Sequence, residues 1–250
     1  MAELIDVTAE TAGDLGFFCY KSKRKSAGYR AKDAWLQARF AEGMRLKLLM
    51  VESRSRGFVE WIPGDYAWRA VHAPNYAVIH CIWVIGSTKG QGHGQALLED
   101  CEAAARKAGL DGVAMVVSAG NWVAGEGLFA RNGYTVVDRA PPRFQLAAKR
   151  FGAAPWPTFP VDWDARCRSD DGVTAYYSDQ CPYIADTLDT MRTVCAEHSV
   201  AFRTVKLETA KDVRDRAPCA YGVFGAVRQG RLLTYHPIGA KDFAARLMAP

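Results

Sequence analysis

Two kinds of hydrophobic period alternate along this chain. Residues 78–85 form an almost continuous apolar run, which predicts a buried strand. From residue 95 to residue 108, apolar side chains recur at the spacing of a helix with one buried face. A glycine-rich segment separates these two elements and consists of Lys89, Gly90, Gln91, Gly92, His93 and Gly94. The pattern predicts a strand, a glycine-rich turn and a helix in direct succession.

A turn of this kind directs main-chain N–H groups, and the positive end of the helix dipole, towards one point. That point suits a phosphate or diphosphate, because glycine lets the anion approach the main chain closely. The spacing does not fit a Rossmann turn, whose third glycine would fall on Gln95 or Leu97, and it lacks the Gly-Lys-Ser/Thr ending of a Walker loop. A strand–helix turn that binds no ligand is the alternative.

The turn fits the pattern Arg/Gln-x-x-Gly-x-Gly/Ala with Lys89 in the first place, and here the chain resembles the GNAT acetyltransferases. Apolar residues stand before and after the turn where that family has them. A later segment strengthens the resemblance: Asn121 opens a predicted helix that closes at Gly133 and Tyr134. Glycine adopts a left-handed cap conformation without strain, so Gly133 is a suitable helix end.

The resemblance covers residues 1–150 and implies an acyl-CoA-binding acetyltransferase domain, with acetyl-CoA as co-substrate and no metal. It places the fourth strand, the loop and the later helix against the cofactor. The cofactor-binding residues it implies are Ile82, Trp83, Val84, Lys89, Gly90, Gln91, Gly92, His93, Gly94, Gln95, Asn121 and Phe129.

Acyl transfer to an amine requires a group that accepts the amine's proton. His80 lies on the fourth strand, two residues before Ile82, and an imidazole can act near neutral pH. Glu60, on the neighbouring predicted strand, is the second candidate, although either side chain could be structural. Family members often use a Tyr to protonate the departing thiolate, and that position is Phe129 here. Tyr134 or a water is the alternative donor.

The chain changes character after residue 150. Residues 151–170 are rich in proline and aromatic residues, which predicts a linker packed against a domain surface. Residues 171–250 then predict the order β-α-β-α-β-β-α, which resembles a thioredoxin-like domain. The predicted fold class is therefore α/β with a mixed α+β sheet, namely a GNAT fold followed by a small thioredoxin-like domain. This organisation resembles the two-domain YoaP-like type within the GNAT superfamily.

The second half departs from the redox pattern of thioredoxins, which need Cys-x-x-Cys. Cys181 stands at a predicted helix start, where the pKa of a thiol can be lowered, but Ile184 occupies the position of the second cysteine. Cys219 follows Pro218, which sits where the thioredoxin-like family has a cis-proline, and is a candidate partner for Cys181. A binding scaffold with a buried thiol is an equal alternative.

Composition is that of an enzyme with a sizeable core, since 49% of the 250 residues are apolar. No apolar stretch reaches membrane-spanning length. The seven cysteines, an odd number, are more typical of a reducing cytoplasm than of a protein held together by disulfides. Six basic residues crowd residues 21–32 and are interpreted as a solvated loop. Neither nucleic acid nor membrane is expected as a partner. The oligomeric state stays open.

Together these features predict an acyl-CoA-dependent N-acyltransferase that moves an acetyl group to an amine of a small molecule or peptide by direct attack on the thioester. One alternative is a thiol-redox or thiol-carrier protein that uses Cys181 and Cys219. The other is an acyl-CoA-binding module without catalysis.

Overall fold

The computed structural model describes residues 2–120, 122–169 and 171–249. Its N-terminal half, residues 2–150, contains a seven-stranded mixed sheet in the order β1-β2-β3-β4-β5-β7-β6. The strands are Ala2–Val7 (β1), Arg45–Val51 (β2), Arg54–Pro63 (β3), Tyr76–Val84 (β4), Gly112–Ser118 (β5), Thr135–Ala140 (β6) and Phe144–Arg150 (β7). The helices of this half are Ala12–Leu15 (α1), Ala27–Phe40 (α2), His93–Lys107 (α3) and Gly127–Arg131 (α4).

The centre of this sheet is split between β4 and β5. These parallel strands pair only from Tyr76 to Ile79 on β4, and the last five residues of β4 have no partner on β5. On its other side β4 pairs with β3, where a bulge makes His80 the extra residue between the pairs Glu60–Cys81 and Trp61–Ile79. After the bulge, the side chains of β4 point to the opposite face from the one that regular alternation would give. Because β4 and β5 are not paired beyond Ile79, a gap lies beside the end of β4.

The two faces of the sheet are covered differently. The apolar face of α3, with Leu97, Leu98, Cys101 and Ala105 fully buried, packs against one face, as its sequence period predicts. The opposite face is covered by α2 and by the C-terminal half of the chain.

The C-terminal half, residues 171–249, contains a four-stranded sheet in the order β11-β10-β8-β9. Its strands are Val173–Tyr177 (β8), Phe202–Lys206 (β9), Phe224–Arg228 (β10) and Arg231–Thr234 (β11), and α5 (Trp163–Arg166) precedes them. Its helices are Ile184–Glu197 (α6), Ala210–Arg216 (α7) and Ala240–Met248 (α8). The predicted order β-α-β-α-β-β-α is thus the one observed. Thr209 caps α7 in a reciprocal capping box with Asp212, as predicted for this cap.

Three local predictions need correction. The helix predicted from residue 121 begins only at Gly127, because Trp122 has a φ of 69° and left-handed backbone cannot continue a helix. The strand predicted from Tyr221 begins at Phe224, after a turn in which Gly222 has a φ of 70°. The peptide bond before Pro218 is trans, so the cis-proline implied by the thioredoxin-like resemblance is absent there.

One hydrophobic core runs through both halves of the chain. The same cluster contains Trp68 and Phe144 from the N-terminal half and Ile184 and Phe224 from the C-terminal half. The connecting segment joins it through buried Phe159 and Trp163, and a main-chain bridge links His72 to Thr158. The predicted packing of this segment is observed, whereas the division into domains at residues 150 and 171 stays a prediction. Within the described residues, none of the helices combines the length and apolarity needed to cross a membrane.

The two halves approach each other closely at Gly28, near the start of α2. A Cβ built there would overlap the main-chain carbonyl oxygen of Pro182. We therefore expect Gly28→Ala to lower the free energy of unfolding by about 1–3 kcal/mol, since the backbone must move. Urea denaturation measures this, with Gly13→Ala as the matched control because a Cβ on Gly13 meets nothing within 4 Å. Equal stability of both variants would contradict the observed packing.

Candidate functional site

A cleft of about 860 Å³ opens where β4 and β5 separate. Its walls are the end of β4, the glycine-rich turn, the start of α3 and α4 with its preceding loop. Most of the residues predicted to bind the cofactor line it: Ile82, Trp83, Val84, Lys89, Gly90, Gly92, His93, Gly94 and Gln95. The structure thus brings these residues together around one cleft, and their role in binding the cofactor stays a prediction.

The turn has the backbone that an anion site needs. Gly90 and Gly92 have φ values of 81° and 77°, which favour glycine, and Gly92 is the N-cap of α3. A Cβ at either position would project into open space, so no protein atom fills the cradle. Lys89 and Arg131 supply positive charge to the lining, and the buried Nε2 atom of His93 has no partner among the described atoms. These features fit the diphosphate of coenzyme A.

Three predicted cofactor residues are placed differently. Gln91 is exposed and does not line the cleft. Phe129 is fully buried in the core beneath α3, while its neighbour Leu128 reaches the cleft instead. Asn121 lies outside the described residues. The cofactor contacts predicted for Gln91 and Phe129 are therefore not supported by the geometry.

A second, smaller cavity of about 50 Å³ lies between the two halves, on the other side of β4. Cys81 lines this cavity and packs against the core shared by the halves, whereas the next residue, Ile82, lines the cleft and belongs to the core beneath α3. Consecutive residues of one strand point to opposite faces. The end of β4 thus separates the two spaces.

The charged lining of this cavity centres on Glu60. Its Oε2 atom accepts a hydrogen bond of 2.8 Å from the Nζ atom of Lys32, and both side chains are about 95% buried, with exposures of 4% and 5%. The ammonium also lies 4.4 Å from the ring centroid of Trp35. The interpretation of Lys32 as part of a solvated loop is wrong, because α2 turns it inwards to neutralise Glu60.

His80 lies next to Glu60 without a hydrogen bond to it, and it lines neither cavity. Its Nε2 atom accepts a 3.0 Å hydrogen bond from the main-chain N–H of Trp68, which leaves the ring proton on Nδ1, 3.9 Å from Oε1 of Glu60. Burial lowers the pKa of His80 well below its ordinary value, and the cations Arg69, Lys32 and Arg39 lower it further. The imidazole is neutral with its lone pair in use, so the geometry does not support His80 as the proton acceptor.

Tyr134 is likewise remote from the reaction space. Its ring packs edge-on against Phe129 in the core, and its phenol lies near Cys101 and Glu102 of α3. Burial raises the pKa of Tyr134 far above its ordinary value. It lines neither cavity, so the predicted role as proton donor to the thiolate is not supported.

The C-terminal half completes the wall of the small cavity. Arg69, fully buried, donates hydrogen bonds to the side-chain oxygen of Gln180 and to the carbonyl oxygens of His80 and Trp68. The Nε2 atom of Gln180 donates a 3.0 Å hydrogen bond to the same carbonyl oxygen of Trp68. The sequence analysis missed Lys32, Arg69 and Gln180, since no local pattern indicates which charged side chains are buried together.

The two candidate thiols do not form a pair. Cys181 lines the small cavity, but Cys219 does not and is buried. The Sγ atom of Cys219 lies 3.6 Å from the carbonyl oxygen of Phe224, and the cysteine that influences its pKa is Cys167. The expectation of a lowered pKa at Cys181 is wrong: burial raises it to about 11, and burial raises that of Cys219 to about 12. A thiol out of water cannot readily ionise, even near a helix start.

A direct test of the Cys181 environment is its alkylation rate. We expect the rate with iodoacetamide to rise about tenfold per pH unit from pH 7 to 9 with no plateau, because only the thiolate reacts and its pKa is far above this range. Peptide mass mapping of timed samples measures the rate at Cys181 separately. A plateau near neutral pH would instead reveal a thiolate stabilised by the start of α6.

Known proteins were compared with this chain. The acetyltransferase (GNAT) family matches residues 18–134. The chain is 29% identical over 243 residues to the N-acetyltransferase YoaP of Bacillus subtilis, a match that covers 96% of each chain. Among solved structures, a GNAT acetyltransferase from Staphylococcus aureus is similar over 61% of this chain and 100% of its own, with 11% identity and a TM-score of 0.47.

A second solved structure, the PaiA N-acetyltransferase of Thermoplasma acidophilum in complex with coenzyme A, is 16% identical. It covers 60% of this chain and 99% of its own, with a TM-score of 0.44. The family match includes the whole glycine-rich turn, the end of β4 and α4. This chain therefore carries, at residues 18–134, a domain of the acetyltransferase (GNAT) family.

Proposed function

We propose that this protein is an acyl-CoA-dependent N-acyltransferase, with acetyl-CoA as the donor and a small amine, or the end of a peptide, as the acceptor. The observation that carries the proposal is the position of β4 between two spaces. A cleft suited to the cofactor lies on one side of this strand, and a cavity with a buried carboxylate lies on the other.

The cleft residues hold and orient the donor. The N-terminal end of α3 and the main-chain amides of the turn bind the diphosphate, with Lys89 and Arg131 adding positive charge. The end of β4, unpaired on the side facing β5, offers main-chain groups to the pantetheine arm and the thioester carbonyl. The thioester supplies the acyl group and the leaving thiolate.

The small cavity receives the amine. At about 50 Å³ it holds only a few non-hydrogen atoms, so the reacting end of the acceptor enters and the remainder stays outside. Glu60 accepts the proton of the amine, directly or through a water, while Lys32 holds its carboxylate in place. No described tyrosine reaches the cleft lining, so a water protonates the departing thiolate.

The structure does not support one requirement of the thiol-redox alternative, namely the pairing of Cys181 with Cys219. It requires two thiols that exchange a disulfide, and the burial of Cys219 away from Cys181 removes the candidate partner. A binding module without catalysis remains the second possibility, because the cleft by itself explains only cofactor binding.

The deciding experiment is a panel of amines, amino acids, aminoglycosides and short peptides, assayed for coenzyme A release with acetyl-CoA. We expect at least one class to release free thiol, and Cys181→Ser to retain kcat. Coenzyme A binding without release for any amine would favour the binding module. Loss of all activity in Cys181→Ser, with the fold intact by circular dichroism, would favour thiol chemistry.

A further inference from the structure

Three of the seven cysteines converge on the cavity between the halves. Cys19 follows α1, Cys81 belongs to β4 and Cys181 precedes α6. Each of these thiols is close enough to the other two for their charges to interact. A negative charge on Cys81 or Cys181 raises the pKa of Cys19, and a negative charge on Cys181 raises the pKa of Cys81. As whole residues these three are half-buried, whereas the other four cysteines of the chain are buried. The acyl-transfer chemistry proposed above uses none of them.

The cavity disfavours thiolates but not neutral sulfur compounds. Burial, and to a smaller extent the charge of Glu60, raise the pKa of Cys81 to about 12. Lys32 and Arg69 act in the opposite direction on Cys81 and Cys181 without offsetting burial. A ligand that replaces two thiol protons and leaves no net charge avoids this penalty. Soft, thiol-seeking elements bind sulfur in this manner.

The three sulfur atoms in the lining restrict the kind of thiol-binding element that the cavity can hold. Among the described residues, no group of three or more His, Cys, Asp or Glu side chains is placed around a common metal position. Structural zinc requires four ligands. Trivalent arsenic with one organic substituent needs only two thiols, and a methyl group is a substituent small enough for about 50 Å³ beside the aromatic rings of Phe58 and Tyr221.

We propose that this cavity is a binding site for monosubstituted trivalent arsenicals, closed by two of the thiols of Cys19, Cys81 and Cys181. The compound R–As(OH)₂ reacts with two S–H groups. Two As–S bonds form, two As–O bonds break and two water molecules leave. Arsenic stays trivalent and no thiol is oxidised, so no oxidant or reductant is required. Because the site is the acceptor cavity of the proposed function, an occupied site blocks acyl transfer.

The first test maps thiol protection on the native, full-length chain. Methylarsine oxide is added at one equivalent, N-ethylmaleimide labels the remaining thiols at pH 9 over a long incubation, because their pKa values are raised, and peptide mass mapping identifies the labelled residues. We expect slow labelling at Cys19, Cys81 and Cys181 without the arsenical, and loss of labelling at two of these three with it. Excess dimercaptopropanol should restore labelling. Unchanged labelling, protection of other cysteines, or chains cross-linked to one another would overturn the proposal.

The second test compares two variants that each lack two thiols. We expect Cys81→Ala with Cys181→Ala to lower methylarsine oxide affinity at least tenfold in equilibrium dialysis, since Cys19 alone cannot close the site. The matched control, Cys195→Ala with Cys219→Ala, removes two buried thiols and should bind like wild type. Equal affinity of both variants would refute the site. If the first variant fails to fold, the protection map of the wild-type chain decides.

Calorimetry with coenzyme A separates this inference from the proposed function. The arsenical should leave coenzyme A affinity unchanged, because no cysteine lines the cleft. Thiol protection in a protein that acylates no amine would leave the arsenical site standing and remove the acceptor role. Acyl transfer without thiol protection would do the reverse.

Discussion

Replacing Gly92 by valine is expected to weaken coenzyme A binding about 100-fold, or about 2.8 kcal/mol. Gly92 is the N-cap of α3 and lies in the cleft with a φ of 77°. A Cβ there meets no protein atom within 4 Å, so the side chain of valine would occupy the space into which the diphosphate must come. Isothermal titration calorimetry with coenzyme A measures the loss.

Backbone strain must be separated from the loss of contacts, because a β-branched residue at positive φ is strained wherever it lies. Gly109, just beyond the other end of α3, has a φ of 73° and equally open surroundings, but it lies outside the cleft. We expect Gly109→Val to lose similar stability in thermal denaturation and to keep wild-type affinity. Wild-type affinity in Gly92→Val would refute the assignment of the turn as the diphosphate site.

The sequence predicted the cleft because every feature of it is local. A strand, a glycine-rich turn and a helix follow one another within residues 76–107, so their order along the chain is also their arrangement in space. The same holds for the C-terminal half, where Thr209 marks the start of α7 and Gly230 the hairpin between β10 and β11. Periodicity and capping chemistry act over a few residues, and they sufficed here.

The acceptor side could not be predicted in the same way, because its residues are distant in sequence. Lys32 meets Glu60 across 28 positions, and Arg69 meets Gln180 across 111. The basic run at residues 21–32 gave no sign that Lys32 alone turns inwards. The bulge at His80 was also hidden, since an apolar run does not reveal which residue is extra in a strand pair. The sequence therefore indicates His80 as the first candidate proton acceptor and Glu60 only as the second.

The C-terminal half forms part of the wall of the small cavity. Gln180 hydrogen-bonds the buried guanidinium of Arg69, and Cys181, Tyr221 and Val223 line the same cavity. A chain without its C-terminal half would expose Arg69 and open the cavity to solvent. The C-terminal half thus limits the volume of this cavity, whereas the cleft is lined by residues of the N-terminal half alone.

Replacing Glu60 by glutamine is expected to lower kcat for acyl transfer about 10²- to 10⁴-fold, the usual contribution of a proton acceptor. Coenzyme A affinity should stay unchanged, because Glu60 lines the other cavity. The substitution also leaves the ammonium of Lys32 buried without a counter-charge, which costs about 3–5 kcal/mol of stability. Urea denaturation measures that second effect.

The double variant Lys32→Met with Glu60→Gln distinguishes chemistry from stability. Removing both charges should restore most of the stability and none of the activity. Glu102→Gln is the matched control, since Glu102 forms a 2.7 Å ion pair with Lys149 but lines neither cavity. It should retain kcat. An active double variant would show that Glu60 matters only for folding.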